Sequence, residues 1–341
     1  MSSDPSPSPS LSPDDALPPV EPPNAGFIVQ LFVVPGVIVL VVVMIWVLFN
    51  WLAQKGNDRD AFVRELSRNT QGRWQAAFNL AQELRAERGT RNPTLATDPQ
   101  LARELAEILK REIDEGSMKE NPIMLRIYLC RALGEFKVPD GLPTLIEAAT
   151  TLRDDKELDV RHAALEGIAR LADNLGGRDK QFSHNPELEE LLLEAAADDN
   201  PQTRSVAAVG LGVVGTPRML QRLRFMVEDG NPNVRYNAAT RLAQRGDLAA
   251  LEGLLEMLDQ EETAGVDLEK NPKMRPFKRA LITINALRAA AQLADKNRDA
   301  DLGELEAAVE ELLAGDASGE IRVEATGLRQ RLENRAPATA Q

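Results

Sequence analysis

The feature that most limits what this chain can fold into is a segment that recurs along it. One copy reads Asp229-Gly230-Asn231-Pro232-Asn233-Val234-Arg235, followed by Ala238 and Leu242. The same order returns in Asp198 to Arg204 with Ala207 and Leu211, in Asp155 to Arg161 with Ala164 and Ile168, and in Asp316 to Arg322 with Ala325. In each, an Asp stands six residues before an Arg, an apolar or β-branched residue directly precedes the Arg, and a small residue follows three later. Glu120 to Arg126, with Leu129 and Leu133, is a looser copy. Glu269 to Arg275 keeps the front half and is then interrupted by Pro276, while Arg73, Ala76 and Leu80 keep the back half. The interval is 31 residues from Arg204 to Arg235 and 47 from Arg275 to Arg322, within the range of helical solenoid repeats.

The pattern has a physical logic. Asp or Asn accepts hydrogen bonds from free amides at a helix start, and Pro suits the first helical position because it has no amide to lose. The small residue after the Arg lets a neighbouring helix approach, and the leucine one turn later fills the core. Before these capped helices stand other apolar-periodic segments: Leu101 to Ile113, Leu142 to Leu152, Leu188 to Ala197, Leu220 to Val227, Leu248 to Leu258 and Leu302 to Leu313. The unit is therefore helix, turn, capped helix.

On these residues the chain resembles HEAT-repeat proteins, in particular those with the PBS-lyase HEAT-like repeat: D-x-N-P-x-V-R-x-x-A-x-x-x-L, as in residues 229–242, is similar to that consensus. The resemblance covers most of residues 97–335. It implies an all-α, HEAT-like α-solenoid of about six or seven helix pairs, a right-handed superhelix whose second helices line the concave face. It also implies a ladder between adjacent repeats, built from Asp155, Arg161, Asp198, Arg204, Asp229, Arg235, Asp316 and Arg322, a structural role that outweighs ligand binding because the residues recur in every unit.

A second feature sits ahead of the repeats. Phe27 to Leu52 runs about 26 residues without a charged side chain, roughly 39 Å as a helix against a hydrocarbon core of about 30 Å. A cleavable signal peptide would start basic and carry a shorter apolar run, whereas Asp4, Asp14, Asp15 and Glu21 precede this one with no Lys or Arg. A buried core helix rarely stays uncharged over such a length. The expectation is a single transmembrane helix, locally kinked at Pro35 and Gly36. All Lys and Arg lie at or beyond Lys55, which places the following domain in the cytoplasm and the short tail outside, with Trp46, Trp51 and Lys55 at the membrane interface.

The domain plan that follows is a Pro/Ser-rich disordered tail over 1–25, the membrane helix over 26–53, juxtamembrane helices over 54–92, the HEAT-like domain over 93–335 and a disordered tail over 336–341. The tail composition cannot bury enough surface to offset ordering entropy; it serves as a spacer or as a ligand for a proline-reading domain. In the juxtamembrane part, Trp74, Ala77, Phe78, Ala81 and Leu84 fall at helical spacing. That face packs on the domain or lies on the membrane surface, and the partial repeat at Arg73 favours packing, with residues 58–90 a degenerate first unit.

Chemistry is hard to find in the sequence. A net charge of -13 argues against nucleic acid, whose phosphates need clustered Lys and Arg. Some HEAT-like proteins of the deoxyhypusine hydroxylase type hold iron through His-Glu dyads, but here His162 is followed by Ala163 and His184 by Asn185. Two histidines and one cysteine make no zinc site, and no nucleophile elbow, P-loop or dinucleotide fingerprint is present. Cys130, within an apolar helical stretch, reads as a buried core residue. The expectation is no catalysis and no cofactor: a membrane-tethered scaffold whose cytoplasmic solenoid binds a protein partner, with the bilayer contacted through residues 27–52. The alternatives are a non-catalytic subunit or a modification or chaperone-like factor acting on a membrane-associated protein, and a self-associating architectural protein. The connections Asp173 to Asn185 and Gln260 to Met274 interrupt the array, and such insertions either contact partners or are tolerated surface loops.

Overall fold

The computed structural model describes residues 26, 29, 33–54, 59–68, 72–176 and 180–335. They divide into two compact units, residues 1–58 and 59–341. Among the described residues of the first, the helix is α1 (Val34–Gln54). Its described side chains, Val34 to Leu48, are all open to the surroundings, Trp46 at 66% exposure. Among the described residues no helix is long and apolar enough to cross a membrane. The sequence-based span Phe27 to Leu52 extends past Val34 to Leu48 at both ends. The tails 1–25 and 336–341, the Trp51 side chain and Lys55 also lie outside the described residues.

The second unit is all helix and turn among its described residues, arranged as successive pairs. They are α2 (Arg59–Ser67) with α3 (Arg73–Ala86), α4 (Pro99–Glu115) with α5 (Glu120–Gly134), and α6 (Leu142–Thr150) with α7 (Leu158–Asn174). A short turn of helix, α8 (Lys180–Ser183), leads to α9 (Pro186–Ala195) with α10 (Pro201–Val214), then α11 (Pro217–Met226) with α12 (Pro232–Arg245). Helix α13 (Leu251–Leu258) pairs with α15 (Arg275–Lys296) across the short α14 (Ala264–Asp267), and α16 (Gly303–Ala314) pairs with α17 (Gly319–Glu333). Each second helix packs on the second helix of the next pair: α3 on α5, α5 on α7, α7 on α10, α10 on α12, α12 on α15 and α15 on α17. This is a helical-repeat solenoid.

The repeated residues explain why the chain folds this way. At α10, Asp198 accepts the amide of Asn200 at 2.8 Å, and Asn200 in turn accepts that of Gln202 at 2.8 Å, with Pro201 opening the helix. At α12 the same relay runs from Asp229 through Asn231 to the amide of Asn233. Two orphan amides at each helix start are thereby satisfied by side chains three residues apart or fewer. One turn on, Ala76, Ala164, Ala207, Ala238 and Ala325 are buried, as are Leu80, Leu133, Ile168, Leu211 and Leu242. Each such leucine contributes about 1.5–3 kcal/mol on leaving water. Residues 59–86 join the same array, with Ala76, Ala77, Leu80 and Leu84 as their buried stripe. The sequence-derived face included Trp74 and Phe78, which lie instead at its margin against Tyr128, at ring-centroid distances of 6.0 and 5.2 Å.

Between pairs, arginine on one second helix reaches a carboxylate that precedes or opens onto the next. Arg161 meets Asp198 at 2.9 Å, and Arg204 meets Asp229 through two bonds of 2.8 Å. Arg73 meets Glu112 at 2.7 Å, Arg126 meets Glu157, and Arg235 meets Glu256. The same arginines tie down their own turns, as Arg204 does at the carbonyls of Asp198 and Asp199 and Arg235 at that of Asp229. The position expected for Asp155 is held by Glu157: Asp155 is exposed, whereas Glu157 and Arg126 are each 1% exposed. Arg322 bonds the carbonyls of Leu313, Gly315 and Ala317 in its own turn. The bidentate bond from Arg204 also holds the Asp229 carboxyl below its ordinary range, against a burial that alone would raise it.

The tightest crossing is α5 on α7. A Cβ added to Gly167 would lie 2.7 Å from the Cys130 carbonyl oxygen, and one on Gly134 would lie 2.7 Å from the Gly167 Cα. Both obstacles are backbone, so no side chain can turn aside to admit it. Gly167→Ala is expected to cost about 1–3 kcal/mol, the range for overpacking a core, read as a lowered midpoint in denaturant melts of the purified protein. For the buried rung, Arg126→Met removes the close partner of Glu157, leaving its buried carboxylate with the Arg153 amide at 2.8 Å and the Arg153 guanidinium at 3.9 Å, and is expected to cost about 3–5 kcal/mol; the double substitution Arg126→Met with Glu157→Leu recovers most of it. A double variant no more stable than the single one would contradict this account of the rung.

Candidate functional site

Five successive second helices, α3, α5, α7, α10 and α12, line one open groove of about 620 Å³. The ladder residues do not line it. The groove is made instead from positions that differ from repeat to repeat. Five residues after the ladder arginine stand Phe78, Arg131, Glu166 and Val209; nine after it stand Gln82, Glu135 and Arg170. Consensus positions hold the helices, and the variable positions on the same helices give the surface its chemistry.

At one end is an aromatic corner. Trp74 stacks on Tyr128 with an interplanar angle of 22°, Phe78 meets Tyr128 edge-on at 74°, and the Arg131 guanidinium lies over the Tyr128 ring, 5.4 Å from its centroid. Such a cluster offers apolar area with little side-chain entropy to lose. The middle and far part is polar. Arg170 lies 3.5 Å from the largely buried Glu135, which also pairs with Arg88. Asn237 donates to the Ser205 carbonyl and hydroxyl at 3.1 and 2.9 Å, bridging α12 to α10.

Arg241 has the least ordinary environment. Its side chain lies across Gly212 of α10, where an added Cβ would fall 2.3 Å from the Arg241 Cβ. Gly212 is thus the floor that lets this stem lie in the groove. The guanidinium donates to Gln244 at 3.0 Å. Burial lowers the Arg241 pKa; the charge of Asp173 opposes that and the nearby charge of Arg170 adds to it.

The remaining candidates from the sequence have structural settings. His162, on α7, shares a 2.9 Å hydrogen bond with Thr203 of α10, and burial lowers its pKa. His184 follows α8 and meets the Ser183 hydroxyl at 2.9 Å. Cys130 is buried on α5, and desolvation pushes its thiol up to about 12. The connection after α7 is anchored by Asn174, which donates to the carbonyls of Gly134 and Phe136, and by the buried Phe182. The 260–274 connection folds back through buried Gly265 and Val266; an added Cβ at Gly265 would meet Tyr236 of α12 and Ile282 of α15. Among the described residues no three of His, Cys, Asp or Glu are grouped to hold a metal ion.

Comparison with known proteins finds a family profile that matches part of the array and distant likenesses among solved structures. No curated protein matches the chain in sequence. Among solved structures, the chain is similar to a designed armadillo repeat protein at 16% identity, covering 81% of this chain and 100% of that one with a TM-score of 0.35. It is similar to human deoxyhypusine hydroxylase in complex with glycerol at 18% identity, covering 81% and 96% with a TM-score of 0.29, and to an engineered protein at 15% identity, covering 81% and 97% with a TM-score of 0.35. Likenesses this distant say nothing of substrate or partner. In sequence, a family profile described as HEAT repeats matches residues 188–267, the part of the array that carries the rungs Arg204–Asp229 and Arg235–Glu256.

Proposed function

We propose that this protein is a membrane-tethered HEAT-repeat scaffold whose solenoid receives a protein partner in the groove formed by α3, α5, α7, α10 and α12, without chemistry of its own. The observation that carries this reading is the groove itself: five helices are held in register by rungs placed outside it, leaving a surface of aromatic and arginine side chains with no structural repeat role. Solenoids use such extended surfaces for polypeptide segments, and aromatic and Arg side chains dominate the energetics of protein interfaces. The buried, protonated thiol of Cys130 and the engaged His162 are consistent with a role that needs no nucleophile or general base.

The tether is argued from the uncharged run Phe27 to Leu52 and the exposed apolar side chains of α1. With Lys55, Arg59, Arg64 and Arg68 following it, the solenoid lies on the cytoplasmic side. Tethering confines scaffold and partner to one surface and raises their effective concentration.

The test is affinity purification from membranes in mild detergent with and without residues 97–335, alongside protease treatment of right-side-out vesicles. The expected result is a stoichiometric protein that is lost with the solenoid, and a solenoid digested only after the vesicles are opened. Digestion in sealed vesicles would contradict the orientation, and substrate turnover by the purified protein would contradict the absence of catalysis.

A further inference from the structure

The charge of the groove runs against that of the chain. The protein as a whole carries a net charge of -13, yet the groove is lined by Arg85, Arg131, Arg170 and Arg241 against Glu135, Glu166 and Asp173. The acidic side is weaker than that count suggests, because Glu135 is engaged by Arg88, which lies outside the groove lining, as well as by Arg170. Among the described residues Arg85, Arg131 and Arg241 have no carboxylate within ion-pair distance. That sets them apart from the ladder arginines, each of which is paired or bonded to carbonyls in its own turn.

Arg241 is the most telling. Its stem is seated on Gly212 and its charge is held in a partly desolvated place, with Asp173 and Arg170 acting on it in opposite senses. A partly desolvated guanidinium whose one side-chain hydrogen bond goes to a neutral amide is stabilised by an incoming anion, which supplies charge-assisted bonds that water no longer makes. At the other end, Phe78, Tyr128 and Trp74 present apolar rings beside the unpaired Arg131.

Resting on the scaffold reading, we propose that the groove recognises an acidic polypeptide segment bearing an aromatic or aliphatic anchor. The anchor packs on Phe78 and Tyr128, and the carboxylates that follow meet Arg131, Arg170 and Arg241 as the segment crosses α5, α7, α10 and α12. A guanidinium fork matches a carboxylate in two parallel bonds, so the groove selects charge by geometry as well as by field. Basic segments are disfavoured by the same four arginines.

The test is selection of random displayed peptides on the full chain in mild detergent, with counter-selection on a groove variant carrying Arg131→Gln and Arg241→Gln. Selected peptides are then measured for affinity and salt dependence. The expected pool is enriched in Asp and Glu with one aromatic or leucine, and affinity falls at least about tenfold in Arg131→Gln, the scale of one charge-assisted hydrogen bond. Phe78→Ala weakens binding while leaving its salt dependence unchanged, and Arg103→Gln, whose residue pairs with Asp140 away from the groove, leaves binding as it was. Arg131 is exposed, so its variant reports on recognition even if Arg241→Gln compromises folding. A groove-dependent pool that is neutral or basic overturns the acidic preference and leaves the scaffold reading standing. Absence of any groove-dependent peptide overturns both, and displacement of selected peptides by a single-stranded oligonucleotide at equal affinity also overturns the acidic-polypeptide assignment.

Discussion

The structure depends on one recurring interaction, an arginine that closes its own turn through carbonyl bonds and reaches a carboxylate of the next repeat. A helix pair in a solenoid cannot bury its apolar face alone, so the interface between pairs decides whether the array exists. Hydrophobic contact between Ala and Leu faces would allow neighbouring pairs to slide and rotate. The rungs remove that freedom, because a bidentate pair such as Arg204 with Asp229 fixes both distance and angle. Burial varies along the series, from Arg126 with Glu157 in the interior to Arg235 with Glu256, about one-fifth exposed, so the rungs differ in energetic weight.

That fixed geometry is what makes the groove a defined surface. The ladder arginines stand toward the start of each second helix, and most groove residues lie beyond them on the same helices. With the helix starts pinned, side chains at variable positions fall in rows across α3, α5, α7, α10 and α12. The close backbone approach at Gly134 and Gly167 draws α5 and α7 together beneath Arg131 and Arg170. Gly212 opens the space in which Arg241 lies. Packing at small residues therefore carries the chemistry of the surface as well as the stability of the fold.

The solenoid was legible because its consensus encodes local physics: Asp and Asn relay amides at a helix start, Pro opens the helix, Ala and Leu face inward. Partner identity within the ladder was less so. The carboxylate for each arginine comes from the following repeat, and its offset varies, from Asp198 and Asp229 in the turn to Glu157 in a short 3-10 helix and Glu256 on α13. Asp155 shares the motif spacing but not the geometry. The groove was missed for the opposite reason, since Arg131, Arg170 and Arg241 occupy no repeated position, and a search for self-similarity discards them. The sequence signal that does find them is variation against a fixed frame, residues five to nine after each ladder arginine changing from Phe to Arg to Glu to Val.

The central claim is that this variable surface, not the outer helices, meets the partner. Site-specific photo-crosslinking in cells tests it most directly, with the crosslinker placed at Gln82 or Val209 in the groove and at Gln221 on α11, an exposed position on a first helix. The account predicts a discrete protein adduct from the groove positions and none from Gln221. Adducts from Gln221 alone would contradict it.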